Sequence, residues 1–304
     1  MTNAPKALPS STFEDGPREV SFRMPDGLYV RGDEWGDPAD PPVLFAHGGG
    51  QTRHAWGKAA SVLAGEGWRA IAVDARGHGE SDWSEAGDYD LERFAADLRE
   101  IASQLGTPPA LVGASLGGLS ALIAQGEAEH PVFSAIVLVD ITPETDPAGV
   151  NRIRGFMAAN ADEGFASLDE AADAISAYLP HRKRPKDHSG LAKNLRLRPD
   201  GRYRWHWDPK FLHRAPNSTA RSPERLNEAT RNVRVPLLLV RGRASEVVGE
   251  EQVKAFLDAA PHAEYVDVSD AGHMVAGDRN DAFNEAVIGF LRRLRTKGPL
   301  ENRL

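Results

Sequence analysis

The 304-residue chain contains no cysteine. Disulfide bonds, thiolate metal centres and cysteine nucleophiles are thereby excluded, and a reducing compartment such as the cytoplasm suits it. Long apolar runs are missing too: nothing approaches the roughly eighteen consecutive apolar residues of a membrane-spanning helix. Met1 to Pro17 is rich in Pro, Ser and charge and lacks the apolar centre of a secretory signal, so residues 1–18 are expected to form a disordered lead-in. No Walker pattern and no G-x-G-x-x-G opening a helix is present, and neither a cofactor nor a metal is expected. Positive charge is in deficit, with a net charge of −8. That argues against non-specific binding of nucleic acid by the whole molecule and leaves a small-molecule substrate as the expected partner. Nothing in the sequence fixes the oligomeric state.

The deficit is not uniform. Between His181 and Arg234 stand fifteen Lys or Arg against five Asp or Glu, a +10 segment in a chain whose remainder is −18. Two readings are open: a basic lid that draws anionic substrates, or a solvated face docked on an acidic body. Elsewhere short β-rich runs alternate with longer helical stretches, which predicts a mostly parallel sheet flanked by helices. Val43–Ala46, Ala70–Val73, Leu111, Ile136–Val139 and Pro236–Val240 mark buried strands, and Tyr265–Val268 the last one. Leu91, Phe94, Ala95, Leu98, Ile101 and Leu105 recur at helical spacing. The stretch 142–233 interrupts the alternation with helical patterns and one strictly alternating segment about Pro199-Asp200-Gly201. There Leu195, Leu197, Tyr203, Trp205 and Trp207 share one parity, and Arg196, Arg198, Arg202, Arg204 and His206 the other. This predicts a hairpin with an aromatic face inward and a basic face to solvent, with Trp205 and Trp207 as candidates for lining a pocket.

The chemistry is concentrated at Gly113-Ala114-Ser115-Leu116-Gly117, between an apolar strand and a small-residue helix. G-x-S-x-G in that setting is a nucleophile elbow, a strained turn that lifts the serine hydroxyl above the sheet. A serine needs an imidazole to take its proton and an acid to hold that imidazole in the right tautomer. The histidine should follow the last strand, where Ala271-Gly272-His273 stands, so His273 is the expected general base. Two residues compete for the acid, and Glu246 rather than Asp140 is the expected one, because the loop after the penultimate strand can swing a carboxylate under the imidazole. Glu246 lies in the loop after the penultimate strand, one place beyond Ser245, where an Asp is expected; Asp140 ends the preceding strand. The developing oxyanion needs two preorganised N–H donors, for which the amides of Leu116 and Gly49 are the candidates.

The strand ending in His47-Gly48-Gly49, the turn Asp74-Ala75-Arg76-Gly77-His78-Gly79-Glu80-Ser81, the elbow and Ala271-Gly272-His273 together resemble the α/β-hydrolase superfamily. The resemblance covers about residues 19–295. It implies the α/β-hydrolase fold: an eight-stranded, mostly parallel sheet with helices on both faces and an inserted, mainly helical cap. The expected division is a core of 19–141 and 234–297, a cap of 142–233 and a polar tail of 298–304. The implied activity is a serine hydrolase that cleaves an ester, thioester or lactone. Related branches use the same residues as haloperoxidases, perhydrolases or carbon–carbon bond hydrolases, and some members keep the fold as ligand receptors without turnover. Ser115 stands where epoxide hydrolases and haloalkane dehalogenases carry Asp, which disfavours both of those activities.

Overall fold

The computed structural model describes residues 16–179, 189–213, 222–269 and 280–296. An antiparallel pair, β1 (Arg18–Arg23) and β2 (Tyr29–Trp35), opens the chain. Then come β3 (Pro42–Ala46), α1 (Gly57–Ala64), β4 (Arg69–Val73), α2 (Leu91–Gln104), β5 (Ala110–Ala114), α3 (Leu116–Gly126) and β6 (Ala135–Val139). After β6 the chain forms α4 (Pro147–Ala159), α5 (Leu168–Tyr178), α6 (Ser189–Ala192), the short hairpin β7 (Leu195–Leu197) and β8 (Tyr203–Trp205), and α7 (Pro223–Asn232). It closes with β9 (Leu237–Gly242), α8 (Glu250–Ala259), β10 (Glu264–Val268) and α9 (Asn280–Thr296). Among the described residues no helix is long and apolar enough to cross a membrane.

The sheet has eight strands in the order β1-β2-β4-β3-β5-β6-β9-β10. Pairing is parallel from β4 onward through β3, β5, β6, β9 and β10. β3 and β6 along their whole length, and β9 as far as Val240, are apolar because helices cover both faces, so neither parity of side chain reaches water. Phe94, Leu98 and Ile101 of α2 pack on one face with much of α3; Trp56 and Leu63 beside and within α1 pack on the other with Phe283, Val287 and Leu291 of α9. α2 starts where the sequence periodicity starts, because the Asp90 carboxylate accepts the Arg93 amide at 2.8 Å and caps the first turn.

The segment between β6 and β9 is not of one kind. α7, grouped by the sequence with 142–233, lies against α3 so closely that a Cβ on Gly126 would sit 2.1 Å from the Ala229 carbonyl oxygen. The hairpin turns as its residues require: Gly201 adopts φ +78° and its amide donates to the Arg198 carbonyl. Its inward face holds Leu195, Trp205 and Trp207, all buried, whereas Leu197 is 62% exposed. The face expected in solvent departs from that expectation. The Arg196 guanidinium donates to the Gly79 carbonyl, Arg202 to the carbonyls of Glu163 and Gly164, and Arg204 to that of Asp162. His206 is 1% exposed, because the strand ends at Trp205 and the alternation of faces ends with it. The basic residues therefore staple the hairpin to neighbouring backbone rather than merely face water.

Candidate active site

Ser115 joins β5 to α3 with φ +44° and ψ −109°. A β-carbon in the left-handed region crowds its own backbone, so such a conformation in serine costs about 1–3 kcal/mol and persists only where the surroundings enforce it. They do so through close packing. A Cβ on Gly113 would lie 2.7 Å from the Gly118 nitrogen, and one on Gly117 would lie 2.4 Å from the Ala46 carbonyl oxygen. The helix can thus begin against the ends of β3 and β5 only because both positions are glycine. The Ser115 amide donates to the Val139 carbonyl at 3.3 Å, which ties the turn to β6.

Backbone from two parts of the chain stands beside it. Leu116 is the first residue of α3, so its amide has no partner within the helix. The loop after β3 runs alongside, with a Cβ on Gly48 placed 3.3 Å from the Ser115 Cβ. In that loop the Gly48 amide donates to the Gln51 side chain at 3.0 Å and the Gly50 amide to His78 Nε2 at 3.1 Å. The amide of Gly49 lies between two that are already engaged.

The candidate acids occupy contrasting places. Glu246 turns its carboxylate to the Arg152 guanidinium at 2.8 Å and to the Tyr178 hydroxyl at 3.4 Å, and its side chain is 30% exposed. Asp140 is fully buried at the end of β6. Its carboxylate accepts the Gly242 amide at 2.9 Å and the Ser245 hydroxyl at 2.6 Å. Ser245, which stands where the sequence leads one to expect the acid, instead holds the other candidate in place. Asp140 also has φ +49°; among the described residues, it and Ser115 are the two non-glycine residues with positive φ. His273 lies outside the described residues.

The sequence matches the alpha/beta hydrolase family over residues 43–286. An esterase of Mycobacterium tuberculosis is 33% identical over 84% of both chains. This chain belongs to the alpha/beta hydrolase family. It is an enzyme of the hydrolase class. A 3-hydroxybutyrate-oligomer hydrolase of Cupriavidus necator is 28% identical over 84% of this chain and 90% of that one. The crystal structure of an alpha/beta hydrolase from Novosphingobium aromaticivorans superposes with a TM-score of 0.78 at 25% identity, covering 91% of this chain and 99% of that one.

Above the Gly48–Gly50 loop the hydrolase places aromatic and sulfur side chains from the segment between β6 and β9. The Phe211 ring comes within 2.9 Å of where a Gly49 Cβ would be, and Met157 within 2.8 Å of that of Gly50. Trp207 Nε1 lies 3.6 Å from the same Gly50 position. Trp205 is farther along the hairpin, stacked edge-on to Phe165 with ring centres 5.3 Å apart and near Phe156 at 6.0 Å. Sequence reasoning missed Met157 and Phe211. The pattern around Met157 reads as an ordinary helix, and Phe211 sits in a short 3-10 turn with no periodicity to mark it.

Three buried histidines brace the same loop. The His47 ring donates from Nδ1 to the Gly48 carbonyl (2.7 Å) and accepts the Ala75 amide at Nε2 (2.9 Å). His78 donates from Nδ1 to the Arg76 carbonyl (3.0 Å) while its Nε2 accepts from Gly50. His206 accepts the Gly79 amide at Nδ1 (2.7 Å), and its Nε2 lies 3.3 Å from the Gly50 carbonyl oxygen. A ring nitrogen that accepts a backbone N–H carries no proton, so each ring is neutral with its tautomer set by its partners. Burial lowers the His47 pKa against the opposing pull of Asp74. For His206, burial and then the neighbouring His47 bring it down to about 4. Beneath them Asp74 is fully buried. Burial pushes its carboxyl up, but His47, the amides of Arg53 and Glu80 and the Arg53 guanidinium more than offset this and hold it below the usual range.

Acid should therefore destabilise the hydrolase through His206. With the native pKa of His206 near 4 and the unfolded one near 6.5, the unfolded chain binds the extra proton between those values. Stability from this group is complete above about pH 6.5 and lost as the pH falls toward 4, an effect of about 3 kcal/mol. Urea unfolding midpoints measured between pH 7 and 4 should fall across that window. A flat profile would show that His206 is not held neutral.

Proposed function

We propose that the protein hydrolyses a small carboxylic ester, thioester or lactone through an acyl-enzyme on Ser115. The observation that carries this reading is the left-handed Ser115 at the β5–α3 junction, packed against the glycine loop that follows β3. A hydroxyl so placed is presented from the turn, while the helix behind it directs amides toward the same region. His273 removes the Ser115 proton as the oxygen attacks the carbonyl carbon. The amides of Leu116 and Gly49 receive the negative charge that develops on the carbonyl oxygen. The tetrahedral intermediate collapses, and the leaving alcohol, thiol or lactone oxygen takes the proton from His273. Water then attacks the acyl group with His273 again as base, releasing the acid and restoring Ser115.

The orienting acid in this scheme is Asp140. A carboxylate that steadies an imidazolium works best when buried and rigidly held, as Asp140 is by Gly242 and Ser245. Glu246 already serves Arg152 and Tyr178. The stretch from α4 to the hairpin forms the cap, with Trp207, Phe211 and Met157 as the apolar wall for the acyl group and Trp205 behind them. The absence of cysteine supports a cytoplasmic setting.

A fluorophosphonate probe tests the reading directly, since it reacts only with an activated serine. Peptide mass spectrometry should place the adduct on Ser115, and a panel of p-nitrophenyl esters of increasing acyl length should show turnover. Modification of a different serine, or no modification of an enzyme that turns over esters, would refute the acyl-enzyme on Ser115. Running the panel with hydrogen peroxide added shows whether peroxide also serves as acyl acceptor.

A further inference from the structure

We infer that His206, carried by the segment inserted between β6 and β9, is a positioning residue for the oxyanion hole: it fixes the Gly50–Gln51 peptide at its carbonyl and, together with His78 on the Gly49–Gly50 peptide, the course of the glycine loop that directs the Gly49 amide. The inference rests on the reading that the Gly49 amide receives the developing charge.

Gly50 is held on both sides of its Cα by imidazoles from different parts of the chain: its amide, part of the Gly49–Gly50 peptide, and its carbonyl, part of the Gly50–Gln51 peptide, each meet a ring. Its amide donates to His78 Nε2 at 3.1 Å, and His78 belongs to the loop after β4. Its carbonyl oxygen is 3.3 Å from His206 Nε2, and His206 follows β8 of the hairpin. Because His206 Nδ1 accepts the Gly79 amide at 2.7 Å, the ring must carry its proton on Nε2, the atom that faces Gly50. The ring thus bridges two loops with one acceptor and one donor. His78 and His206 are themselves neighbours, with ring centres 5.9 Å apart, and both are buried.

The need for such a clamp follows from the loop. Three consecutive glycines have no side chains to fix their backbone, and Gly50 adopts φ +79°. An oxyanion donor acts only if its N–H already points at the place where charge develops, and removing one donor typically costs about 100–1,000-fold in rate. A displacement of about 1 Å in the reacting groups can cost about 100-fold. Holding the two peptides that flank the Gly50 Cα, one by each ring, removes that freedom before substrate arrives. One of the two holding rings comes from the inserted segment, so the docking of that segment completes the catalytic geometry. Arg196 of the same hairpin donates to the Gly79 carbonyl, which fixes the other loop that His206 touches.

Two near-isosteric substitutions separate positioning from simple anchoring. In His206→Asn the side-chain oxygen takes the place of Nδ1, so the bond to Gly79 survives and the one to Gly50 is lost. In His206→Gln the amide nitrogen takes the place of Nε2, so the bond to Gly50 survives. Steady-state hydrolysis of the best p-nitrophenyl ester, inhibition by phenylboronic acid and thermal unfolding should be measured for wild type and both variants. We expect His206→Asn to lose about 10- to 100-fold in kcat with KM within about twofold, and to weaken boronate inhibition by a similar factor, because the boronate oxygen occupies the oxyanion position. His206→Gln should recover most of that rate. Equal kcat in wild type and His206→Asn, or an equal loss in both variants that tracks their melting temperatures, would overturn the proposal. Should neither variant fold, imidazole nitrogen spectra of the wild-type enzyme decide instead: His206 must carry its proton on Nε2, and an Nδ1-protonated ring overturns it. Failure of the parent reading is distinguishable, since wild type would then not label at Ser115 with the fluorophosphonate.

Discussion

Ser115→Ala should lower turnover by roughly four to six orders of magnitude while leaving the fold intact. The size follows from what the hydroxyl does: without it no acyl-enzyme can form, and removal of the nucleophile in enzymes of this kind leaves only binding and charge stabilisation. Stability should barely change, because alanine at φ +44° suffers the same Cβ crowding as serine and makes the same backbone bonds. Ser115→Gly supplies the complementary measurement. Glycine reaches the left-handed region freely, so this variant should be as inactive as the alanine one yet about 1 kcal/mol more stable toward urea. Together the pair tests whether the backbone of the active serine stores strain. Turnover in Ser115→Ala above about one per cent of wild type would remove Ser115 from the role of nucleophile, for no other group at the elbow can form the intermediate.

Much of this was legible in the sequence, and for a physical reason. Strands buried on both faces must be apolar at every position, so Val43–Ala46, Ile136–Val139 and Leu237–Val240 declare themselves without alternation. The elbow is equally explicit, because Gly113 and Gly117 tolerate no Cβ where the helix meets β5 and β3. What the sequence concealed depends on contacts between distant segments. The alternation around Pro199-Asp200-Gly201 correctly marks a hairpin, yet it assigns His206 to a solvent face that exists only as far as β8 runs. The arginines look like solvated charge because the carbonyls they meet, at Gly79, Glu163 and Asp162, lie up to about a hundred residues away or carry no signal at all. Periodicity places α7 within 142–233 because the break in strand pattern ends only at β9, and the fit of Gly126 against Ala229 is invisible to it. The surroundings of the two candidate acids are concealed in the same way. Loop length suggests Glu246, but the bond from Ser245 to Asp140 spans 105 residues and cannot be read from spacing.

Asp140→Asn should be the second crippling substitution, with turnover down by about four orders of magnitude. The amide has the shape of the carboxylate and can still accept the Gly242 amide through its oxygen. What it loses is the charge that stabilises an imidazolium and the acceptor that fixes the tautomer of the base; in serine enzymes that exchange alone costs about 10,000-fold. It also leaves Ser245, whose hydroxyl donates to Asp140 at 2.6 Å and accepts the amides of Val247 and Val248 at 3.1 Å each, with an altered partner. Ser245→Ala should therefore show a smaller version of the same defect, losing about 10-fold because the carboxylate keeps its charge but not its orientation. Glu246→Gln is the control. It weakens a part-exposed pair with Arg152, worth at most about 1 kcal/mol to stability, and should leave kcat within about twofold. All three variants are to be measured side by side on one p-nitrophenyl ester. If Glu246→Gln is the enzyme that loses four orders of magnitude and Asp140→Asn turns over normally, the acid is Glu246, and the buried carboxylate at the end of β6 serves only to tie that strand to the Gly242–Val248 loop.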